Sequence, residues 1–178
     1  VLDNEDFSCS VVGSGKTVIL TVTDTNGNTS TCSSTVTVED NVAPVALCQD
    51  VTVQLDANGN GTTTATLVDN GSNDACGIAS LVLDNEDFTC SDVGSGNTVI
   101  LTVTATSGKT YTCSLTVTVE DNVAPVALCQ DVTFQLDANR NVTTTATMVD
   151  NGSTDAFGIA PLVVVNHDFN ISLVGFRH

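Results

Sequence analysis

The stretch VEDNVAPVALCQD occupies residues 38–50 and returns, letter for letter, at residues 119–131. The offset is 81 residues, and sliding the chain against itself by that offset aligns nearly all of it. VLDNEDFSC at 1–9 matches VLDNEDFTC at 82–90, and TVILTVT at 17–23 returns at 98–104. ALCQDVTVQLDAN at 46–58 matches ALCQDVTFQLDAN at 127–139. Self-similarity at a fixed period is the mark of an array of structural modules. Pro44 and Pro125 hold the same place in it, just after a DN pair, so the duplicated stretch is a module boundary. The chain then divides into the C-terminal half of a module (1–41), a complete module (42–122) and the N-terminal half of a further, degenerate module (123–178).

Inside the complete module the apolar residues alternate with period two, the period of a half-buried strand. Val51, Val53 and Leu55 share one face of the first strand, and Thr63, Ala65 and Leu67 are expected to share a face of a second. Residues 78–83 read as a third. Val99, Leu101 and Val103 mark a strand that turns through Gly108 into a last one carrying Leu115, Val117 and Val119. LDANGNG, at 55–61, turns the first strand into the second. The abundant Thr and Val are β-branched and suit a pleated surface. With about seven short strands and no helical period, the fold class is all-β: tandem immunoglobulin-like β-sandwich modules with an 81-residue repeat.

The chain has 178 residues, 41% of them hydrophobic but only 4% aromatic, with no Trp. Its core must therefore be built from Val, Leu, Ile and Ala. A net charge of −17 argues against nucleic acid, which needs cations to neutralise phosphates. No stretch approaches 18 apolar residues, so no membrane insertion is expected. No signal peptide is visible at Val1, which fits a chain that has lost one or belongs to something longer.

Seven cysteines at regular spacing suggest disulfides and an oxidising, extracellular setting. The complete module holds Cys48, Cys76, Cys90 and Cys113, and four cysteines allow three connectivities. The preferred one is Cys48–Cys76 with Cys90–Cys113, because the leading half-module contains only Cys9 and Cys32, the counterparts of the second pair. Cys129 should meet position 157, but that residue is Phe157, and position 171, the counterpart of Cys90, is Ile171. Cys129 is thus expected as a free thiol, buried and inert or available to another chain.

The combination of DNVAPVALCQDVTV, DNGSNDACGI, GNTVILTVT and TCSLTVTVEDN resembles the hyalin-repeat (HYR-like) immunoglobulin-type modules. It looks most like the tandem modules of large secreted bacterial surface proteins. The resemblance covers the whole chain. It implies a β-sandwich, an extracellular location, tandem arrays, and a role in adhesion or as a spacer, with no enzyme activity. The departures are Phe157, Ile171, and TATSGKT where the first repeat has TDTNGNT.

The acidic residues recur in short clusters with Asn and Gly, as calcium sites require: Ca²⁺ takes six to eight oxygens from carboxylates, amides, carbonyls and water. With alternating strand directions, the loop 69–74, the linker 39–41 and the loop 2–7 should converge at one junction. The candidate ligands there are Asp40, Asn41, Asp69 and Asp74, joined by Asp3, Glu5 and Asp6. A second junction would repeat them with Asp84, Glu86, Asp87, Asp121, Asn122, Asp150 and Asp155. The competing reading is ordinary turns, which Asp, Asn and Gly dominate anyway. DTNGN at 24–28 and DANGN at 56–60 start like an EF-hand loop but lack its downstream Glu, so both are read as turns.

Catalysis finds little footing. The two histidines, His167 and His178, lie in the tail and have no placed Ser, Cys or Asp beside them, and the cysteines are not spaced for zinc. The expected function is a calcium-stiffened, disulfide-stapled rod or fibre that polymerises head to tail. Residues 126–178 of one copy and 1–41 of the next would together make one sandwich. The alternative is a segment of a long covalent surface adhesin, acting as spacer or as a stalk for a glycan or protein ligand. A sugar-binding module ranks last, since it would want exposed aromatic platforms and the chain has only Tyr111.

Overall fold

The computed structural model describes residues 1–3, 6–94, 96–165 and 168–170. It is all-β with a sandwich-like arrangement of sheets. The chain falls into two compact units. The first comprises Val1–Val53, Thr62–Asp87 and Gly94–Thr118; the second comprises Gln54–Gly61, Phe88–Val93 and the chain from Val119 onward.

A hairpin opens the chain: β1 (Gly15–Thr23) pairs antiparallel with β2 (Thr29–Thr37) from Gly15↔Thr37 to Thr23↔Thr29. Its turn is fixed by Asp24, whose carboxylate accepts the backbone N–H groups of Asn26 and Asn28 at 2.9 and 2.8 Å. The central strands are β3 (Val51–Gln54), β4 (Asn60–Thr62), β5 (Ile78–Leu83), β6 (Asp87–Thr89), β7 (Gly96–Ala105) and β8 (Thr110–Glu120). β3, β8, β7 and β5 form a four-stranded sheet in that order, while β4 and β6 form a separate pair. The turn at 55–59 therefore carries the chain from one sheet to the other instead of closing a hairpin. Asp56 holds it by accepting the N–H groups of Asn58 and Asn60.

The period-two reading holds for the long strands. Val99, Leu101, Val103 and Ala105 of β7 are buried, as are Leu115, Val117 and Val119 of β8 and Val53 of β3. Burying a Val or Leu side chain fully is worth about 1.5–3 kcal/mol, so these two strands carry much of the core. The reading fails at residues 63–67. There the chain forms a single helical turn, α1 (Ala65–Val68). Ala65 and Val68, three apart, point inward, and Leu67, expected inside, is 60% exposed. A run of Thr and Ala does not choose between periods by itself.

The last elements are β9 (Asn141–Thr143), α2 (Ala146–Val149) and β10 (Asp168–Asn170), with β10 antiparallel to β9. α2 lies 81 residues after α1, so the local structure follows the sequence duplication. Residues 159–164, the counterparts of β5, form no strand.

Candidate functional site

Two chemical features stand out: the cysteine register and a small acidic junction. Both depend on which strands are neighbours.

Cys48 is bonded to Cys113 and Cys9 to Cys76, while Cys32, Cys90 and Cys129 are free thiols. This corrects the pairing preferred from sequence, Cys48–Cys76 with Cys90–Cys113, and it removes Cys32 and Cys90 from the bonded set. The reason is sheet order. Cys48 immediately precedes β3, and β3 lies beside β8, which carries Cys113. The neighbouring contact is direct, because Asp50 accepts the Thr116 N–H at 2.7 Å. Cys76 precedes β5, at the opposite edge of the same sheet. Strands are spaced by about 4.8 Å, so two edges three spacings apart exceed the Cα separation a disulfide spans. The Cα atoms of Cys48 and Cys113 lie 6.1 Å apart, those of Cys9 and Cys76 5.1 Å.

The register explains the free thiols. Cys9 bonds a partner 67 residues downstream. Its counterpart Cys90 would need position 157, and Phe157 stands there. Cys90 Sγ instead lies 3.8 Å from the Gly59 carbonyl oxygen. Cys32 sits on β2 as Cys113 sits on β8, and among the described residues β1 and β2 form a two-stranded sheet with no third strand beside Cys32. Cys129 corresponds to Cys48 and is an exposed free thiol.

The acidic junction lies where the leading hairpin meets the turn between β7 and β8. Asp40 and Asp74 bring carboxylate oxygens to within 4.8 Å of each other and of Cys76 Sγ. Asp40 Oδ1 accepts the Val42 N–H at 3.0 Å, while Oδ2 is shut from solvent with no hydrogen-bond partner. Asp74 accepts the Cys76 N–H at 2.8 Å. Asn41 donates to Glu39 at 3.3 Å. Glu39, Asp40 and Asn41 share a depression with Ser107 and Lys109, and Ser107 Oγ is also shut from solvent and unpartnered. The oxygen donors fit a hard divalent cation. Cys76 does not, because its sulfur is already in a disulfide, and Lys109 brings a positive charge to the same depression.

The remaining expected ligands are not in that cluster. Asp3 accepts the Ile19 N–H along the hairpin edge, and Asp84 accepts the Ile100 N–H in the same way one repeat later. Asp69 is tied to its own loop: burial pushes its carboxyl up, but bonds from Ser72 and Gly71 outweigh this and hold it below the ordinary value. Hydrogen bonds from Ser153 do the same for Asp150. Asp121 accepts the Val123 N–H and Asp155 the Phe157 N–H, each as a local turn, and Asn122 donates to Gln54 and Glu120. Asp6 and Asp87 are exposed, and the Glu86 carbonyl accepts the Thr63 N–H. Glu5, Ile171, His167 and His178 lie outside the described residues.

Sequence reasoning missed how differently the two copies of one hairpin are covered. Val99, Leu101 and Val103 are sealed in β7. Of their counterparts in β1, Val18 is buried, but Leu20 is 39% and Val22 57% exposed. In the trailing segment, Leu128, Cys129, Ala146, Val149 and Leu162 line an open apolar groove. The counterparts of Ala146 and Val149, Ala65 and Val68, are buried, whereas that of Leu128, Leu47, is exposed. No helix among the described residues is long and apolar enough to cross a membrane. No protein-family model matches the chain, and no curated protein matches it.

Proposed function

We propose that the chain is an extracellular structural repeat protein of the hyalin-repeat type. Its modules are stapled by disulfides into a rod, and its half-modules are completed by copies of itself. One observation carries this reading: the inward positions of TVILTVT are all sealed in the complete module, while in the leading hairpin Val18 is buried but Leu20 and Val22 are exposed. A bare apolar strand face needs a partner. The partner its sequence fits is the repeat, at residues 124–164, of the segment 43–83, whose strands β3 and β5 lie beside β8 and β7 in the complete module. A head-to-tail contact of this kind does not close and gives a fibre.

Two further features support a rod. Cys9–Cys76 fastens the leading hairpin to the complete module, so successive repeats are joined by more than a linker. Asp40 and Asp74 would hold Ca²⁺ at that joint, where the unpartnered Asp40 oxygen waits for a donor or a cation. Calcium would also relieve the repulsion between copies that each carry a charge of −17. The role is mechanical and adhesive, not catalytic.

A second reading keeps the modules and changes the connection: the bare hairpin is covered by the preceding module of a longer surface adhesin. The Cys9–Cys76 staple between repeats favours it equally.

Light scattering of the purified chain in calcium and in EDTA tests the proposal. Long particles in calcium that shorten in EDTA are expected. A monomer in both, at every concentration, contradicts self-completion and leaves the covalent array.

A further inference from the structure

We infer that Asn70 and Asn151 are self-modifying residues, each converted to aspartate or isoaspartate by the chain's own groups. The nitrogen of the following glycine attacks the side-chain amide, and the carboxylate of the preceding aspartate takes that nitrogen's proton. The inference does not depend on the self-completion reading above. It assigns two modification sites and gives Asp69 and Asp150 a chemical role.

The sequence holds five Asn–Gly pairs, at 26–27, 58–59, 60–61, 70–71 and 151–152. A glycine after asparagine hinders this reaction least, because no Cβ shields the attacking nitrogen. Only the last two pairs follow an aspartate, Asp69 and Asp150. Backbone geometry separates the pairs further. The Gly27 N–H donates to the Asp24 carbonyl at 3.1 Å and the Gly59 N–H to the Asp56 carbonyl at 2.9 Å. A peptide carbonyl is no base near neutral pH. Gly61 is buried within β4.

At the other two pairs the glycine N–H faces a carboxylate. Gly71 donates to Asp69 Oδ2 at 3.4 Å and Gly152 to Asp150 Oδ2 at 3.3 Å. Both contacts are longer than a strong N–H···O bond, so each nitrogen is loosely held. The opposite carboxylate oxygen is anchored. Asp69 Oδ1 accepts the Ser72 N–H at 3.0 Å, and Asp150 Oδ1 accepts the Ser153 N–H at 3.0 Å. Such bonds favour the ionised carboxylate, which is the form a base requires. The Asn70 N–H donates to the Leu47 carbonyl and the Asn151 N–H to the Leu128 carbonyl, both at 2.9 Å. These bonds fix the turn that presents the base to the nitrogen. Asn70 and Asn151 are themselves exposed to water. The same arrangement therefore stands once in each compact unit.

The Asp69 carboxylate takes the Gly71 N–H proton as that nitrogen attacks Asn70 Cγ. The new N–Cγ bond closes a succinimide ring. The Asn70 side-chain nitrogen leaves as ammonia, carrying the proton that Asp69 returns. Water then opens the ring. Breaking the N–Cγ bond gives aspartate, and breaking the bond from that nitrogen to the Asn70 backbone carbonyl carbon gives isoaspartate. One water is consumed, one ammonia is released, and no electrons are transferred. Asp150, Asn151 and Gly152 repeat these roles. Either product at residue 70 adds a carboxylate to the loop that carries Asp74 into the acidic junction. Isoaspartate also adds a backbone carbon to a turn stitched to Leu47.

The test incubates the purified chain near neutral pH and follows each Asn–Gly pair by peptide mass spectrometry, with isoaspartate read from fragment spectra. Asn70 and Asn151 should convert first, while Asn26 and Asn58 lag. Asp69→Asn keeps an oxygen for the Ser72 N–H but removes the base. It should slow conversion of Asn70 by about 100-fold, the lower end of what a positioned base contributes. Asn151 in the same chain should be unaffected, and Asp150→Asn should give the mirror result. A pH profile separates a base from a scaffold. The rate at Asn70 should be flat across the near-neutral range in the parent chain and proportional to hydroxide in Asp69→Asn. Should the variant loosen the module, Asn26 and Asn58 would speed up as well, and the parent chain's profile then decides alone. Equal rates at all pairs in the native chain, or a hydroxide-proportional profile at its Asn70, would overturn the assignment. So would an Asp69→Asn chain that converts Asn70 as fast as the parent with Asn26 and Asn58 unchanged.

Discussion

Leu20 and Leu101 hold the same place in the same strand, one 39% exposed and the other fully buried. Replacing each with alanine turns that difference into a measurement. At Leu101 the change removes methyl groups from a sealed core and leaves a cavity, which costs about 2–5 kcal/mol. At Leu20 the hairpin face is open, no cavity forms, and only the remaining contacts are lost, about 1 kcal/mol or less. Urea unfolding of the dilute chain reads both. Tyr111 is the only tyrosine, lies on β8, and has no Trp to mask it, so its fluorescence follows the complete module. With a slope of about 1–3 kcal/mol per molar urea, Leu101→Ala should lower the midpoint by roughly 1 M or more. Leu20→Ala should barely move it. Equal shifts in the dilute monomer would refute the claim that one hairpin is sealed and the other bare. Under conditions where copies join, Leu20→Ala should weaken assembly, because there it too becomes a core residue.

Arg140 is the only non-glycine residue with a positive φ among those described, at 65°, and its repeat counterpart is Gly59 at 76°. Arg140→Gly should stabilise the trailing segment by about 1 kcal/mol, seen as slower exchange of the amides in β9. Gly59→Ala should do the reverse, because its Cβ would fall 2.5 Å from Cys90 Sγ. Asp24, Asp56 and Asp150 are held below their ordinary 3.8 by bonds from Asn28, Asn60 and Ser153 respectively. A lowered folded-state value means their contribution is complete above 3.8 and is lost as pH falls through the lower value. Carboxyl NMR titration should place all three midpoints under 3.8; any midpoint above it contradicts the turn geometry. Asp40→Asn should weaken calcium binding by calorimetry more than Asp3→Asn does, since Asp3 lies outside the junction cluster.

The long strands and their inward faces were legible because the alternation of Val and Leu with Thr is a local property of a strand. So were the turns at Asp24 and Asp56, where one carboxylate and two amides a few residues apart suffice. The pairing of cysteines was not legible, because it depends on which strand lies beside β3. The presence of only Cys9 and Cys32 in the leading half-module ranked Cys76 as the partner of Cys48, while the sheet puts Cys113 next to it and Cys76 at the far edge. The acidic junction was legible only in part. Asp40 and Asp74 meet, while Asp69, Asp84, Asp121 and Asp155 lie outside that cluster, although all six accept a backbone N–H. Composition cannot tell a carboxylate that only completes its own turn from one that also meets a second carboxylate. The unequal exposure of the two hairpins is invisible in sequence, since their strands are nearly identical.

Amide hydrogen exchange of β1–β2 against β7–β8, followed as protein concentration rises, tests the central claim most directly. The account predicts that β1–β2 exchanges much faster than β7–β8 when dilute, and that its protection climbs toward that of β7–β8 as copies join. If β1–β2 stays equally unprotected at every concentration, in calcium and oxidant as well, no copy of the chain covers that face and the self-completion account is wrong.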